Sequence, residues 1–361
     1  MKLTENTVLI LGAGFTKAFL PKAPLLVDNY NEDQLSENFS KFPWAYKILK
    51  NEIEREPQGK VNLERLMTRL HSQMPYDNYE AEPELTLLLS KLKSVFKERI
   101  QEARKDSPFE EVIKDFARLC VDKKINCITF NYDDFFDQKL WEVEKLTYSQ
   151  SPQKLYWHPD GGYGYFCKPS DATIRTPDVF MDRTSMLLLK LHGSMNWRIR
   201  KGDLSPYTID SILHNEDWLK RSYHPTTRED DNEIIELHLE PESFIVPPVL
   251  TKDALSKQPL LKLVWSLAHE KLKTADNVIF IGYSLPRTDI ASEFLFSETI
   301  SADAKVWVVN HGSTQAKKNE IRKTYRRMFP RLPNNRFKLD GALEWINQIL
   351  QENSTKEKPA D

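Results

Sequence analysis

The chain has 361 residues, which is enough for one large domain or two of ordinary size. Its 51 Lys and Arg residues nearly balance its 53 Asp and Glu residues, so the formal net charge of -2 gives no indication of binding to nucleic acid or to an anionic membrane. No apolar run approaches the roughly 20 residues of a membrane span. The three cysteines form no CxxC pair, which argues against a disulfide framework and a zinc ribbon. We therefore expect a cytoplasmic globular protein without a metal and without direct nucleic-acid contacts.

Short apolar runs along the chain predict buried strands. They lie at 7–11, 125–130, 186–191, 244–246, 278–282 and 306–309. The runs do not alternate polar and apolar residues, as expected when helices cover both faces of a parallel sheet. Segments with helical spacing separate them. The predicted fold class is therefore α/β, with a doubly wound, mostly parallel, Rossmann-like sheet.

Two long connections interrupt this simple pattern. The segment between the first two strands is too long for a crossover, and its periodicity predicts a helical insertion at about 31–123. A polar, charged insertion is predicted at about 198–243, and a hairpin at 155–166 around an Asp-Gly-Gly turn. We expect a catalytic domain at 1–312, C-terminal helices packed on it at 313–352, and a disordered tail at 353–361.

A glycine-rich turn follows the first predicted strand, with the sequence GAGFT at 12–16. Glycines at such a place let backbone N–H groups approach a phosphate at a helix N-terminus. The full dinucleotide fingerprint is absent because Lys17 occupies the third glycine position, and no P-loop pattern is present. A phosphate loop and a plain tight turn are equally compatible with this motif.

Two further polar groups follow predicted strands. Asn131 and Asp133 come after strand 125–130 and project to the same side if the segment is extended. His192 and Gly193 come after strand 186–191. The carboxyl ends of parallel strands are where open α/β sheets bind ligands, which favours a binding pair and a general base. The alternatives are a helix N-cap at Asn131 or Asp133 and a turn with an exposed histidine.

Four motifs in order carry a resemblance to a known family. They are GAGFT (12–16), ITFNYDD (128–134), KLHGSMNW (190–197) and IGYSLPRTD (281–289). Together they resemble the sirtuin superfamily, in particular its divergent prokaryotic branch found in anti-phage systems. The resemblance spans about residues 7–312 and implies NAD⁺ as the substrate.

The resemblance also implies roles for individual residues. Asn131 is similar to the asparagine that positions the nicotinamide ribose and the attacking water, Asp133 to the acid near the nicotinamide carboxamide, and His192 to the catalytic histidine. The residues that would contact the pyrophosphate, the riboses or the adenosine are Gly12, Ala13, Gly14, Phe15, Thr16, Gly282, Tyr283, Ser284 and Asn310. Asp289 fits the GYSLPxxD pattern of the prokaryotic branch, which implies that it belongs with these NAD-binding residues, and capping of a helix is an alternative role for it.

One departure from the family limits the expected activity. Protein-deacylating sirtuins carry a four-cysteine zinc module after the His-Gly motif, whereas residues 193–361 contain no cysteine. We therefore expect hydrolysis of NAD⁺ to nicotinamide and ADP-ribose, as the effector of an anti-phage system. Deacylation, ADP-ribosyl transfer and non-catalytic binding of NAD or ADP-ribose are the alternatives. By analogy with the family, we expect a homo-oligomer and an activating partner in trans, such as a HerA-type translocase or an Argonaute-like protein.

Overall fold

The computed structural model describes most of the chain. The described residues are 3–24, 42–55, 63–71, 82–105, 107–148, 157, 159–164, 186–199, 212–214, 242–245, 259–287 and 289–354. Among the helices within these ranges, none is both long enough and apolar enough to cross a membrane.

The strands form two sheets. In chain order they are β1 (Thr7–Leu11), β2 (Asn126–Thr129), β3 (Leu188–Lys190), β4 (Gly193–Ile199), β5 (Ile212–His214), β6 (Glu242–Ile245), β7 (Asn277–Ile281), β8 (Lys305–Val309) and β9 (Phe337–Lys338). The central sheet has six strands in the order β3-β2-β1-β7-β8-β9, and each neighbouring pair is parallel. A smaller antiparallel sheet has the order β5-β4-β6.

The order of the central sheet defines where a ligand crevice is expected. The chain runs outward from β1 to β2 and β3 on one side, then returns to β7, β8 and β9 on the other side. The order therefore reverses between β1 and β7. In open α/β sheets, ligands bind outside the carboxyl ends of the strands at this reversal.

Helices surround the sheet. They are α1 (Ala13–Phe19), α2 (Pro43–Arg55), α3 (Leu63–His71), α4 (Glu82–Lys105), α5 (Glu110–Asp122), α6 (Phe135–Tyr148), the single turn α7 (Pro159–Gly162), α8 (Pro259–Lys273), α9 (Ile290–Thr299), α10 (Gln315–Met328) and α11 (Ala342–Ser354).

Aromatic side chains fill the two helix–sheet interfaces. On one face, the ring of Phe15 in α1 lies 6.2 Å from that of Phe116 in α5, which packs edge-on against Trp345 in α11. On the other face, Phe280 in β7 packs edge-on against Phe296 in α9 and Tyr325 in α10 at 5.1 and 5.3 Å. Helices thus cover the buried apolar strands on both faces of the sheet. The sequence predicts this arrangement, because polar and apolar residues do not alternate along these strands.

The structure confirms the predicted fold class. The sheet is mostly parallel and flanked by helices, and α2, α3, α4 and α5 follow the first strand–helix unit as a helical insertion. The bounds of the domain, 1–312 and 313–352, stay a prediction, although the second segment contributes β9 to the central sheet. Most of the polar insertion and residues 355–361 of the tail lie outside the described residues, and α11 continues to Ser354.

The predicted hairpin at 155–166 is wrong in its described part. Residues Pro159–Gly162 form one helical turn instead of the Asp-Gly-Gly turn of a hairpin. Proline is well suited to the first position of a helix, because its ring holds φ near the helical value. The aromatic residues beside the turn are buried, and Trp157 and Tyr163 pack edge-to-face at 5.2 Å. The aromatic pattern reflects core packing here and not cross-strand pairing.

Candidate functional site

Two glycine turns contact each other at the reversal point of the sheet. The N–H of Gly12, after β1, donates to Ile281 O at 3.0 Å, and the N–H of Gly14 donates to Gly282 O at 2.9 Å. Gly282 has a φ of +61°, and a Cβ there would lie 2.1 Å from the backbone nitrogen of Phe15. The GAG and GYS motifs are therefore needed for the close approach of two backbone segments.

This contact limits how the first turn can bind an anion. The N–H groups of Gly12 and Gly14 are engaged by β7 and the residue after it, and the N–H of Phe15 donates to Gly12 O at 2.8 Å. The tight-turn interpretation thus accounts for the glycines. A phosphate contact at residues 12–16 stays a prediction, and it would use other groups beside this contact, such as the exposed residues Ala13 and Ser284.

A hydrogen-bond network joins the first turn to the residues after β2. The Thr16 hydroxyl donates to Asp133 Oδ2 at 2.9 Å and lies 3.1 Å from Asn131 Nδ2, which donates to it. Asn131 Nδ2 also donates to Gly12 O at 3.0 Å. Asp133 Oδ1 accepts from the N–H of Phe135, the first residue of α6. The structure therefore brings Thr16, Asn131 and Asp133 together at the predicted edge of the sheet.

The network determines which atom of Asn131 can contact a ligand. Both hydrogens of its amide are directed at acceptors in the α1 turn, namely Gly12 O and Thr16 Oγ1. No described residue donates to its Oδ1, and the side chain is half-buried. Asn131 therefore presents a carbonyl oxygen, which accepts hydrogen bonds from hydroxyl groups or water.

A buried lysine binds the backbone of the segment that carries Asn131 and Asp133. Lys190 at the end of β3 is fully buried, and its Nζ donates to Asp133 O at 2.6 Å and to both Asp137 carboxylate oxygens at 3.1 and 3.2 Å. A buried charge is tolerated when it is paired and hydrogen-bonded. Lys190 therefore ties the strand that leads to His192 to the turn that carries Asn131 and Asp133.

The carboxylate that pairs with Lys190 belongs to a buried polar cluster. The Tyr163 hydroxyl donates to Asp137 and accepts from Asn196 Nδ2 at 3.0 Å. Burial raises the pKa of the Asp137 carboxyl, although the charge of Lys190 opposes this shift. Burial and the neighbouring Asp137 raise the pKa of Tyr163 well above its ordinary value, so this hydroxyl stays protonated.

His192 lies in an aromatic enclosure after β3. Its ring centroid is 5.2 Å from that of Phe130, 6.2 Å from that of Tyr132 and 6.5 Å from that of Trp265. The indole N–H of Trp265 donates to Leu191 O at 2.9 Å and so anchors α8 to the His192 turn. The histidine is buried, and the interpretation of a turn with an exposed histidine is wrong.

Asp289 faces the same imidazole. Its Oδ2 lies 3.6 Å from His192 Nε2, and both side chains are buried. Asp289 is also the N-cap of α9, where Oδ1 accepts from the N–H of Ser292. The helix-cap role is thus present, together with a contact to His192 that the sequence did not predict.

The side chain of Asn310, at the end of β8, forms hydrogen bonds to the backbone. Its amide donates to Tyr283 O at 3.1 Å, and the same carbonyl accepts from the Tyr325 hydroxyl at 2.7 Å. Its Oδ1 accepts from the N–H of His311 at 2.9 Å. Asn310 therefore holds the GYS turn, and a contact with adenosine stays a prediction.

The predicted residues form two neighbouring groups on opposite sides of one extended segment. Asn131 and Asp133 point to the α1 turn, while the alternate residues Phe130 and Tyr132 pack against His192. The alternation follows from the geometry of an extended chain. Lys190, Tyr132 and Trp265 were missed from the sequence, although a lysine at the end of an apolar run was a detectable signal of a paired buried charge.

Among the residues that the structure describes, no group of three or more His, Cys, Asp or Glu side chains could hold a metal ion. The expectation that the protein works without a metal stays a prediction.

Comparisons with known proteins give structural similarity only. No family model and no curated protein matches the chain. Among solved structures, a mutant Sir2 homologue in complex with 2′-O-acetyl ADP-ribose is 12% identical, covering 98% of this chain and 95% of its own, with a TM-score of 0.46. A crystal structure of a Sir2 homologue–NAD complex is 13% identical over 97% of this chain and 89% of its own, also with a TM-score of 0.46. Identities and TM-scores this low do not establish a function.

The fold and the site together define a class of protein. This is an α/β protein in which two neighbouring polar groups lie beyond the carboxyl ends of a parallel sheet: a glycine turn with Asn131 and Asp133, and His192 with Asp289. Such an edge is where α/β proteins of this strand order bind ligands.

Proposed function

We propose that the chain is an NAD⁺ hydrolase that cleaves the nicotinamide–ribose bond to give nicotinamide and ADP-ribose. The observation that carries this proposal is the joining of Thr16, Asn131 and Asp133 by hydrogen bonds beyond the carboxyl ends of β1 and β2, beside the reversal of the strand order. A buried histidine follows the neighbouring strand. The four sequence motifs that resemble sirtuins all begin at or follow strands of the central sheet, which supports the proposal.

The reaction sets specific demands on the residues of this edge. Cleavage turns a cationic pyridinium into neutral nicotinamide and builds positive charge at the anomeric carbon, so no strong acid is required to assist the leaving group. Orientation and fixed dipoles that face the developing charge are what lower the barrier. Asn131 Oδ1 is such a dipole, because the network fixes its amide in one orientation.

His192 supplies general-base catalysis in this scheme. Water attacks the anomeric carbon, the carbon–nitrogen bond to nicotinamide breaks, and the histidine accepts the proton that the water or a ribose hydroxyl loses. A typical histidine has a pKa of about 6.5 and can accept a proton at neutral pH. The aromatic rings around His192 limit access of bulk water, which favours a single positioned acceptor.

Water is the preferred acceptor because the chain lacks the cysteines of a zinc module after the His-Gly motif. Deacylation of an acyl-lysine and ADP-ribosyl transfer use the same bond cleavage with a different acceptor. They are therefore outcomes of the test below.

The wider role that we propose is depletion of NAD⁺ as the effector of an anti-phage system. Support comes from the resemblance of the motifs to the prokaryotic branch of the superfamily. Because constant hydrolysis of NAD⁺ would be toxic, we propose that a homo-oligomer is activated by a partner in trans, of the HerA or Argonaute-like type.

The test follows nicotinamide and ADP-ribose by chromatography after incubation with NAD⁺, with and without candidate partners. We expect release without any added acyl peptide. Asn131→Ala and His192→Ala should each lower turnover, the latter by about 10²–10⁴-fold, the usual range for loss of a general base. His269→Ala, which alters an exposed histidine of α8, is the matched control and should keep full rate.

The remaining outcomes distinguish the alternatives. Nicotinamide release only with an acylated peptide would overturn hydrolysis in favour of deacylation, and labelled ADP-ribose on protein would indicate transfer. Binding of NAD⁺ without release in every assembled state would identify a non-catalytic module.

A further inference from the structure

We propose that Asp289 is a positioning residue that orients His192 and stabilises its protonated form, an inference that rests on the proposed function. His192 is 4% exposed and Asp289 is 3% exposed, and Nε2 of one lies 3.6 Å from Oδ2 of the other. Asp289 therefore acts through the histidine. The family resemblance instead places it among residues of the NAD⁺ site.

The Asp289 carboxylate is held firmly in this orientation. Its Oδ1 accepts from the N–H of Ser292 at 3.3 Å, and its Oδ2 accepts from the Tyr283 hydroxyl at 3.4 Å. The position at the N-terminus of α9 also favours a negative charge, because the helix dipole is positive there. Asp289 thus faces the imidazole from the N-terminus of a helix.

The surroundings of His192 make a partner for its positive charge necessary. Phe130, Tyr132 and Trp265 surround the ring, and burial among aromatic groups disfavours a charged imidazole. The titratable groups that face it from the described elements are Asp289 and Tyr132, with Tyr283 bonded to Asp289. Asp289 is the group among these that carries a compensating charge near neutral pH.

The arrangement assigns a role to each imidazole nitrogen. In this proposal the carboxylate of Asp289, 3.6 Å away, keeps the imidazole hydrogen on Nε2, and Nδ1 is the nitrogen that accepts the proton from water or a ribose hydroxyl. When Nδ1 takes that proton the ring becomes an imidazolium, and Asp289 remains an ionised carboxylate beside it. A carboxylate–imidazole pair of this kind supports a general base by fixing its tautomer and stabilising its cation.

The experiment compares Asp289→Asn with the wild type. Asparagine is as good an N-cap as aspartate, so α9 should form in the variant. The first readout is the tautomer and pKa of His192 from nitrogen NMR of the imidazole, which needs no substrate. We expect an Nε2–H tautomer in the wild type, and in Asp289→Asn a lower pKa of His192 with a mixture of tautomers.

The second readout is kinetic. Asp289→Asn should lower kcat by about 10²–10⁴-fold with a small change in KM, and the acidic limb of the pH–rate profile should move to lower pH. Asp289→Glu, which restores the charge, should recover part of the rate. Asp303→Asn, at an exposed acid, is the control and should change neither readout.

The two proposals fail in different ways. An unchanged pKa and tautomer of His192 in Asp289→Asn would overturn the positioning role, whatever the activity. A shifted pKa in a protein that never releases nicotinamide would retain the pairing and overturn the hydrolase. A loss of rate through a raised KM alone, with unchanged NMR, would return Asp289 to a contact with NAD⁺.

Discussion

The Thr16 hydroxyl donates a 2.9 Å hydrogen bond to Asp133, and so joins the helix after β1 to the segment after β2. The same oxygen accepts a hydrogen bond from Asn131, so one hydroxyl orients both polar residues of the predicted pair. The threonine of the GAGFT motif is therefore the link between two motifs that lie far apart in the sequence.

Replacement of that hydroxyl should weaken both the site and the fold. Thr16→Val keeps the shape but leaves a buried Asp133 oxygen without its donor, which we expect to cost about 1–3 kcal/mol of unfolding free energy. NAD⁺ turnover should fall, since Asn131 loses one of its two acceptors. Urea denaturation and the nicotinamide assay measure the two effects. Thr16→Ser keeps the hydroxyl and should resemble the wild type, and equal stability of Thr16→Val and wild type would contradict the link.

Because the two glycine turns are in contact, we expect replacement of Gly282 by alanine to cause an unusually large loss of stability. In Gly282→Ala a methyl group would meet the backbone of Phe15 and Gly14 at 2.1–2.3 Å, at a φ of +61°. Gly341→Ala offers a comparison, because its φ is +116° but its nearest neighbour would be 3.7 Å away. A positive φ of this kind costs on the order of 1–3 kcal/mol for a non-glycine residue.

We therefore expect Gly341→Ala to lose stability of that order, and Gly282→Ala to lose clearly more through the added backbone clash. Thermal unfolding of both variants measures the difference. If the two variants lose the same amount of stability, the turns can move apart at little cost, and their close approach does not contribute to stability.

The buried Lys190–Asp137 pair predicts a change in the pH dependence of stability. Lys190→Met leaves a buried carboxylate uncompensated, which typically costs about 3–5 kcal/mol. Burial already raises the pKa of Asp137 in the folded protein, and loss of the Lys190 charge should raise this pKa further.

The sign of the effect follows from proton binding. The folded variant binds a proton more tightly than the unfolded chain, whose aspartates have a pKa of about 3.9. This contribution to stability is complete below that value and is lost as the pH rises through the folded pKa. Lys190→Met should therefore become less stable than the wild type as the pH is raised, by an amount that grows toward neutrality.

A double variant isolates the cause. Lys190→Met/Asp137→Asn has no carboxylate to titrate, so its difference from the wild type should vary little with pH, and at pH 7 it should be more stable than Lys190→Met. Urea denaturation at several pH values gives these free energies. A pH-independent loss in the single variant would mean that packing, and not charge, explains the role of Lys190.

The sequence predicted the fold class and the edge at which the polar residues meet. Runs such as 7–11 and 278–282 are continuously apolar, which is typical of strands covered on both faces. Since parallel strands have their carboxyl ends at one edge, the residues after β1, β2 and β3 had to lie near each other. This argument uses strand direction alone and needs no knowledge of loops.

Other features depended on contacts that no local pattern reveals. His192 and Asp289 approach each other because β3 and α9 belong to distant segments that the sheet brings together. β4 begins with Gly193 and small polar residues and so lacked a strand pattern, and the aromatic segment near Tyr163 suggested a hairpin where a helical turn forms.

The two-residue strand β9 has a consequence for how copies of the protein behave in solution. The outer edge of a sheet displays unpaired backbone groups that another chain can extend. Here the strand next to β8 consists of Phe337 and Lys338, and the guanidinium of Arg336 lies 4.1 Å from the ring centroid of Trp307 in β8. A strand this short, with Arg336 before it and Lys338 within it, gives an incoming chain few backbone groups to pair with. This edge of the sheet is therefore a poor template for the addition of strands from other copies of the chain at high concentration.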